Sequence, residues 1–388
     1  MSYKKFLYLF IGTLICFIVF FYMILKYLSF LYENNTYEEI VKRQMKNNSI
    51  YGSALNENYY SYRLQMIREK KPEIVIIGTS RAGLFRQIYF DKSMIAATNS
   101  SNRPSEMEAF IQQMLTFHIP KIVFLNLDPW WLLKSFPNYK NASYQELTGK
   151  DITQEKIKNI FKYLLIGKIP LSTKFLKENF ISNPYSNYDS LGLRAINNSD
   201  GSFSDGSTFY ASTIYGLGNF ADIKFENTFY RLQQQMFPFY YAQTIESDRI
   251  KQLEHIQQIL KDHNIHVITY IAPIAPTIYK TIQNQYKDQY SYLNAIDSYA
   301  KEKNIYNFFN PSTLNTTDCE FYDGFHGGDI AYARMLLKIS QKDSFLKGYI
   351  NTKKLQEIIN TKQGRAFALE HKKGMKEIDF LQIGCQKE

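Results

Sequence analysis

Three residues of the sequence have side chains that together could perform nucleophilic catalysis. Ser80 follows an apolar run and a glycine in "EIVIIGTSRAGLF" (73–85), and "YDGFHGG" (322–328) contains Asp323 and His326. A serine hydroxyl is a poor nucleophile at neutral pH, so it needs a base, and that base needs a group to orient it. The sequence therefore predicts a triad in which His326 is the base for Ser80 and Asp323 orients His326.

The elements around these residues predict that they meet at one edge of a sheet. The β-branched residues before Gly78 indicate a buried strand at 73–78, and His326 lies on a loop after the last predicted strand. In a parallel α/β sheet such loops lie together at the carboxyl edge, where ligands bind.

Strands and helices alternate along much of the chain. "SEMEAFIQQMLTFHIP" (105–120) has an apolar stripe, a capping box of Ser105 and Glu108, and Pro120 at its end, which predict a helix. This alternation predicts an α/β fold with a mostly parallel sheet covered on both faces. We expect helices near 57–70, 247–262 and 288–303, strands near 94–98, 121–128, 266–273 and 305–309, and a loop leading into a helix at 322–339.

The segment "FLYLFIGTLICFIVFFYMIL" (6–25) is uncharged and long enough to span a bilayer as a helix. No small-residue cleavage site follows, so an uncleaved anchor is expected, and Lys4 and Lys5 favour a cytoplasmic N-terminus. The expected divisions are an anchor at 1–28, a polar stalk at 29–56, an α/β domain at 57–345 with an insertion or lid at 136–245, and a basic, solvated and partly helical extension at 346–388.

Composition and motifs narrow the classes of ligand that the protein is expected to bind. The net charge of +10 comes without any nucleic-acid-binding motif, and no P-loop or GxGxxG is present, so neither nucleic acid nor a nucleotide cofactor is expected. The cysteines lack zinc-site spacing, and we expect no metal and no cofactor. One bridge between Cys319 and Cys385 is possible in an oxidising compartment.

The strand that ends in Gly78, Thr79 and Ser80, with the late Asp323 and His326, resembles the SGNH/GDSL hydrolase superfamily over roughly 71–128 and 246–340. That resemblance implies a flavodoxin-like three-layer sandwich, with Ser80 attacking an acyl carbon. The anchor and the "GTSR" form resemble the membrane-anchored, extracytoplasmic branch that acts in teichoic-acid D-alanylation and in alginate or peptidoglycan O-acetylation. The resemblance implies an acylated glycan or envelope polymer as substrate, and a multi-spanning membrane protein that exports the acyl group as partner.

The resemblance also implies oxyanion donors, and here the sequence departs from the superfamily. The second block, "NSSNRPSE" (99–106), lacks the usual glycine, so the backbone N–H of Asn102 is a candidate. The side chains of Asn126, displaced by one position along its strand, and Asn99 are equal candidates for the amide donor. Arg81 could bind an anionic group of the substrate, although a structural ion pair is the alternative.

Three functions follow from these features. A membrane-anchored serine acyltransferase is preferred by the resemblance and the anchor, and a plain esterase would have an open pocket and no partner. A non-catalytic scaffold that binds polymer or a membrane partner is the second hypothesis, ahead of the esterase, and is favoured by the missing glycine and the displaced Asn126. A His326 ring nitrogen more than about 4 Å from Ser80 Oγ would favour that scaffold.

Overall fold

A computed structural model describes residues 3–55, 58–137, 146–169, 181–182, 185, 187–218 and 221–387. Its helices are α1 (Tyr3–Phe30), α2 (Tyr37–Asn47), α3 (Tyr59–Lys70), α4 (Pro104–Leu115), α5 (Gln154–Leu165), α6 (Leu193–Asn198), α7 (Ala211–Ile214), α8 (Glu226–Gln233), α9 (Ser247–Asp262), α10 (Pro276–Gln285), α11 (Tyr292–Glu302), α12 (Asp329–Lys342) and α13 (Thr352–Thr361). Its strands are β1 (Ile50–Tyr51), β2 (Ile74–Gly78), β3 (Met94–Thr98), β4 (Ile122–Asn126), β5 (Ile181–Ser182), β6 (Asp189–Leu191), β7 (Gly201–Ser202), β8 (Thr208–Phe209), β9 (His266–Ile271) and β10 (Tyr306–Asn307).

The main sheet has five strands in the order β3-β2-β4-β9-β10, and every pairing in it is parallel. All residues of β2, β3 and β4 are buried. Because successive side chains of a strand point to opposite faces, burial of all of them shows that both faces of the sheet are covered. The predicted α/β class with a mostly parallel sheet is therefore confirmed.

The order of these strands creates a crevice next to the loop that carries Ser80. Numbered along the chain, the five strands are arranged 2-1-3-4-5, so β3 lies on one side of the first strand, β2, and β4 lies on the other. Connections that leave β2 and β4 diverge to opposite sides at this switch point, and in doubly wound sheets ligands bind there at the carboxyl ends. Ser80 is the second residue after β2.

The start of helix α4 differs from its prediction. The helix begins at Pro104 after Arg103, which makes no side-chain cap, and Ser105 lies inside the first turn. The predicted capping box of Ser105 and Glu108 is therefore wrong. Proline is favoured at the first helical position because its missing N–H is not needed there, and Glu106 instead accepts from the backbone N–H of Asn102 at 2.7 Å.

The described residues of the segment predicted as a stalk (29–56), namely 29–55, are part of the folded domain. Helix α2 has a capping box formed by Thr36 and Glu39, and its apolar stripe is buried. The next residues form β1, the central strand of a second, mixed sheet ordered β5-β6-β1-β7-β8. The stalk prediction is wrong because the Asn-rich composition obscured a helical stripe with a spacing of three and four residues, formed by Tyr37, Ile40, Val41 and Gln44.

The described part of the C-terminal segment, 346–387, is also packed against the domain instead of being solvated. Leu355, Phe367 and Phe380 are buried in the main hydrophobic core, and a disulfide joins Cys319 to Cys385. Lys387 forms a buried ion pair with Glu377. The prediction of a solvated tail is wrong because it followed the basic residues, which reach the surface except for Lys387, whereas Leu355, Phe367 and Phe380 are buried in the core.

We expect the Cys319–Cys385 bridge to stabilise the chain by about 3 kcal/mol, because it closes a long loop and restricts the unfolded state. The two cysteines are separated by 66 residues. Thermal unfolding of the full chain in detergent, with Cys319→Ser/Cys385→Ser beside it, measures this effect. Cys16→Ser is the control, since Cys16 is a free and exposed thiol. Equal unfolding temperatures for all three proteins would contradict the prediction.

Helix α1 has the length and hydropathy of a membrane span. It contains 28 residues, and its most apolar 18-residue window has a mean hydropathy of 2.5 with none of that window buried in the domain. The last two turns of α1 differ from this exposed window, because Ile24 and Leu28 are buried against the domain. The chain therefore has one N-terminal helix apolar enough for single-pass anchoring, as the sequence predicted.

Candidate active site

The turn after β2 is fixed by close packing and by a capping hydrogen bond. A Cβ on Gly78 would lie 2.6 Å from Asn126 Cβ, so only glycine allows β2 and β4 to approach this closely. Thr79 Oγ1 accepts a hydrogen bond from the backbone N–H of Arg81 at 3.3 Å, which begins a short 3₁₀ turn at Ser80. The result is a half-buried Ser80 at the carboxyl edge of the sheet.

Ser80 and His326 are brought together although 246 residues separate them. Ser80 Oγ lies 2.7 Å from His326 Nε2. On the other side of the ring, His326 Nδ1 lies 2.7 Å from Asp323 Oδ2. An ionised carboxylate can only accept, so Nδ1 carries the proton and Nε2 is left to accept from the Ser80 hydroxyl.

Asp323 is held in its ionised form. Burial alone would raise the pKa of its carboxyl, but the attraction of His326 and three hydrogen bonds outweigh burial and lower that pKa below its ordinary value. Two of these bonds come to Oδ1 from the backbone N–H groups of Phe325 and His326, each at 2.8 Å. The side chain is therefore fixed in position, and its charge is available to stabilise a protonated imidazole.

The loop that carries Asp323 and His326 is held by hydrogen bonds to the segment that was predicted as an insertion. The backbone N–H of Gly324 donates to Thr228 Oγ1 at 3.2 Å, and Thr228 donates to the carboxylate of Asp222. A Cβ on Gly324 would lie 2.3 Å from Thr228 Cγ2, so this position requires glycine. Sequence reasoning missed Asp222 and Thr228 as positioning residues, because 136–245 shows no periodic pattern that would place them beside the loop.

Arg81 holds the turn in place instead of facing a substrate. Its guanidinium is 1% exposed, donates to Asp128 Oδ1 at 2.9 Å, and also donates to the carbonyl oxygens of Ala272 and Pro273. Burial is the main cause that raises the pKa of Asp128, and the charge of Arg81 opposes it. These contacts join the ends of β2, β4 and β9, so the predicted substrate contact of Arg81 gives way to the structural ion pair.

The three asparagine candidates occupy different environments. Asn126 is fully buried under the turn, with Oδ1 3.2 Å from Thr79 Oγ1, and lines neither cavity that contains Ser80. Asn99 also lines neither of them. Asn102 lines one of these cavities, but its backbone N–H is engaged by Glu106, which contradicts the predicted backbone donor and leaves the side-chain amide.

Among the residues that the structure describes, two cavities meet at Ser80. One, which we call the polar cleft, has a volume of about 510 Å³ and also contains Asp323 and His326. Its far wall comes mostly from the segment that was predicted as an insertion, with Tyr163, Lys168, Arg194, Tyr210 and Ser212. Sequence reasoning missed these residues, since no chemistry-bearing motif marks them.

The second cavity, which we call the aromatic cavity, has a volume of about 390 Å³. Trp130 and Phe237 meet edge-to-face there with centroids 6.0 Å apart, and Phe325 packs on the imidazole of His326 at 4.3 Å. Tyr240 and Phe136 also line it. Trp130, Phe237 and Tyr240 therefore face a cavity beside Ser80, whereas Trp131 is fully buried and lines neither this cavity nor the polar cleft.

The arrangement can accept a proton from Ser80 and return it to a leaving group. In the part of the chain that the structure describes, no cluster of three or more His, Cys, Asp or Glu side chains could hold a metal ion. No protein-family model, curated protein or solved structure matches this chain. The assignment of function therefore depends on the geometry of its own residues.

Proposed function

We propose that the protein is a serine acyltransferase or esterase that works through Ser80, His326 and Asp323. The observation that carries this proposal is the hydrogen-bonded series from Ser80 Oγ to His326 to Asp323, with both contacts at 2.7 Å. That distance is well below the separation of about 4 Å beyond which a scaffold would be favoured.

In the first half of the proposed reaction, Ser80 Oγ attacks the carbonyl carbon of an acyl donor while His326 Nε2 takes the serine proton. The tetrahedral intermediate collapses when the bond to the leaving oxygen breaks, and His326 returns the proton to that oxygen. In the second half, an acceptor hydroxyl or water attacks the acyl-enzyme, His326 takes its proton, and Ser80 leaves protonated. The backbone N–H of Ser80 and the side-chain amide of Asn102 are the proposed oxyanion donors.

The fold and the order of the motifs support an SGNH-like assignment. The strand order 2-1-3-4-5 is that of flavodoxin-like sheets, and the nucleophile follows the first strand while Asp323 and His326 precede the last helix of the sheet region, α12. The insertion then forms the far wall of the polar cleft. Fold likeness alone does not imply a reaction, so the triad geometry remains the argument for catalysis.

The anchor and the disulfide support an extracytoplasmic location. Disulfides persist in oxidising compartments and are rare in the cytosol, and Cys319 and Cys385 are joined. With Lys4 and Lys5 on the cytoplasmic side of α1, the domain would lie at the outer face of the membrane.

The two cavities support transfer between two bound groups over simple hydrolysis. The polar cleft carries Lys168 and Arg194, which suit a hydroxylated or anionic polymer as acceptor, and the aromatic cavity suits the faces of sugar rings or an apolar acyl group. An acylated envelope glycan fits both. A membrane protein that exports acyl groups is the corresponding proposed donor partner.

Labelling with a fluorophosphonate probe tests this proposal on the full chain in detergent micelles. We expect covalent labelling of the wild-type protein, and its loss in Ser80→Ala and His326→Ala. Ser212→Ala is the matched control, because Ser212 lines the same cleft but donates to Asp200, and its labelling should persist. An unlabelled but folded wild-type protein would contradict catalysis and favour the non-catalytic scaffold that binds a polymer or a membrane partner.

A further inference from the structure

The end of the anchor helix is built into a hydrophobic cluster of its own. Ile24 and Leu28 of α1, and Leu31 just after it, are buried with Ile160 of α5 and with Leu55, Ile169 and Leu193. The uncharged run of the anchor ends at residue 25, and Leu28 lies about 5 Å further along the helix. Whatever packs on these residues must therefore lie at the level where α1 leaves the bilayer.

The same cluster forms one wall of the polar cleft. Leu193 is buried in it, Ala54 and Tyr163 pack against it, and all three line the cavity that contains Ser80. Glu33 fixes this wall, because its buried carboxylate accepts from Ser53 Oγ and from the backbone N–H groups of Ala54, Leu55 and Leu193. The cleft is thus rigidly joined to the end of the anchor.

Helix α5 and the turn after it expose apolar and basic side chains at this place. Leu164 and Ile169 pack in the anchor cluster, so the residues between them lie beside it. Of these, Leu165 is 87% and Ile166 is 52% exposed, and Phe161 on α5 is 39% exposed. The exposed basic side chains of this region are Lys158, Lys162 and Lys168.

We propose that this α5 surface, formed by Lys158, Phe161, Lys162, Leu165, Ile166 and Lys168, lies in the headgroup region of the anionic bilayer that α1 spans. Exposed apolar side chains flanked by lysines are the pattern of an element that lies in a membrane interface. Two features indicate that the bilayer covers this surface. The α5 surface adjoins the end of the anchor helix, and its positive charge suits anionic lipids.

This placement has a consequence for the Ser80 site, which rests on the proposed function. Tyr163 and Lys168 belong both to the α5 region and to the cleft wall. The cleft therefore opens at headgroup level, and its acyl donor or acceptor is a group presented at the membrane surface instead of one diffusing freely in solution.

Depth-dependent quenching tests the surface without depending on catalysis. The full chain carrying Cys16→Ser and Leu165→Cys is labelled with pyrene maleimide and reconstituted in vesicles of phosphatidylcholine with about a third phosphatidylglycerol. The control is Lys261→Cys in the same background, because Lys261 is exposed at the end of α9, at the opposite edge of the sheet from Ser80. The Cys319–Cys385 bridge leaves no other thiol in these proteins.

We expect lipids with a nitroxide near the headgroup to reduce the pyrene emission at position 165 several-fold, and to leave that at position 261 nearly unchanged. Equal emission at the two positions with and without the quencher would overturn the proposal. Excimer emission without quenching at position 165 would also overturn it, since a second copy of the chain would then cover the surface. Neither result depends on fluorophosphonate labelling, so the failure of one proposal is separable from the failure of the other.

Discussion

Asp323→Asn is expected to slow the fluorophosphonate reaction of Ser80 on the order of 10³–10⁴-fold while leaving the chain folded. The reason is that the side-chain amide introduced at position 323 can adopt only one of its two orientations. Backbone N–H groups of Phe325 and His326 both point at the Oδ1 position, so the amide oxygen must occupy it. Its NH₂ group then faces His326 Nδ1 and donates to it, which leaves the imidazole proton on Nε2. That tautomer cannot accept the proton of Ser80.

The matched control for this substitution is Asp318→Asn. Asp318 accepts a hydrogen bond from the backbone N–H of Thr277 at 2.9 Å and lies outside both cavities that contain Ser80. We expect its labelling rate to stay within about twofold of the wild type, since single substitutions away from reacting groups change transition-state binding little. If Asp323→Asn also stayed within tenfold, Asp323 would not be the group that orients His326.

Arg81→Met is expected to lower the stability of the domain by about 3–5 kcal/mol, because it leaves the buried carboxylate of Asp128 without its counter-charge. Both side chains of this pair are 1% exposed. For a chain of this size the loss corresponds to a fall in Tm of about 5 °C. Thermal unfolding of the full chain in detergent, followed by circular dichroism, measures it.

Two further variants show whether the unpaired charge is the cause. In Arg81→Met/Asp128→Leu no charge remains buried, and the Tm is expected to recover by at least half of the loss. In Lys303→Met the partner, Glu254, is partly exposed to solvent, and the Tm is expected to stay close to that of the wild type. A double variant no more stable than Arg81→Met would refute the idea that burial of an unpaired Asp128 dominates the effect.

The main sheet could be predicted because its signals are local. The runs that form β2, β3, β4 and β9 are short and apolar, and the stripe of α9 predicts that helix at its observed bounds, Ser247–Asp262. The second sheet could not be predicted in this way. Its strands β1, β5, β7 and β8 are two residues long, too short for any alternation to show.

Some parts of the candidate site could likewise be predicted from the sequence, and others could not. Gly78 and Ser80 at a strand end, and Asp323 three residues before His326, are readable because the geometry they need is local to each turn. The role of Arg81 could not be predicted from the sequence, since an arginine side chain can bind an anionic substrate as well as a buried carboxylate. The tertiary structure shows that Arg81 has a structural role. Asp128, just after β4, and the carbonyl oxygens of Ala272 and Pro273, just after β9, accept hydrogen bonds from its guanidinium.

The sequence by itself determined the α/β class, the apolar N-terminal helix and the identity of the three residues of the proposed triad, because each depends on periodicity or on residue types within a few positions. The tertiary structure alone decided that the supposed stalk and tail are parts of the fold, which wall faces Ser80, and that this wall adjoins the end of the anchor. These features arise from contacts between segments far apart in the chain, such as Glu33 with Leu193 or Gly324 with Thr228. No local pattern specifies such pairs, since each partner's residue type is compatible with many other surroundings.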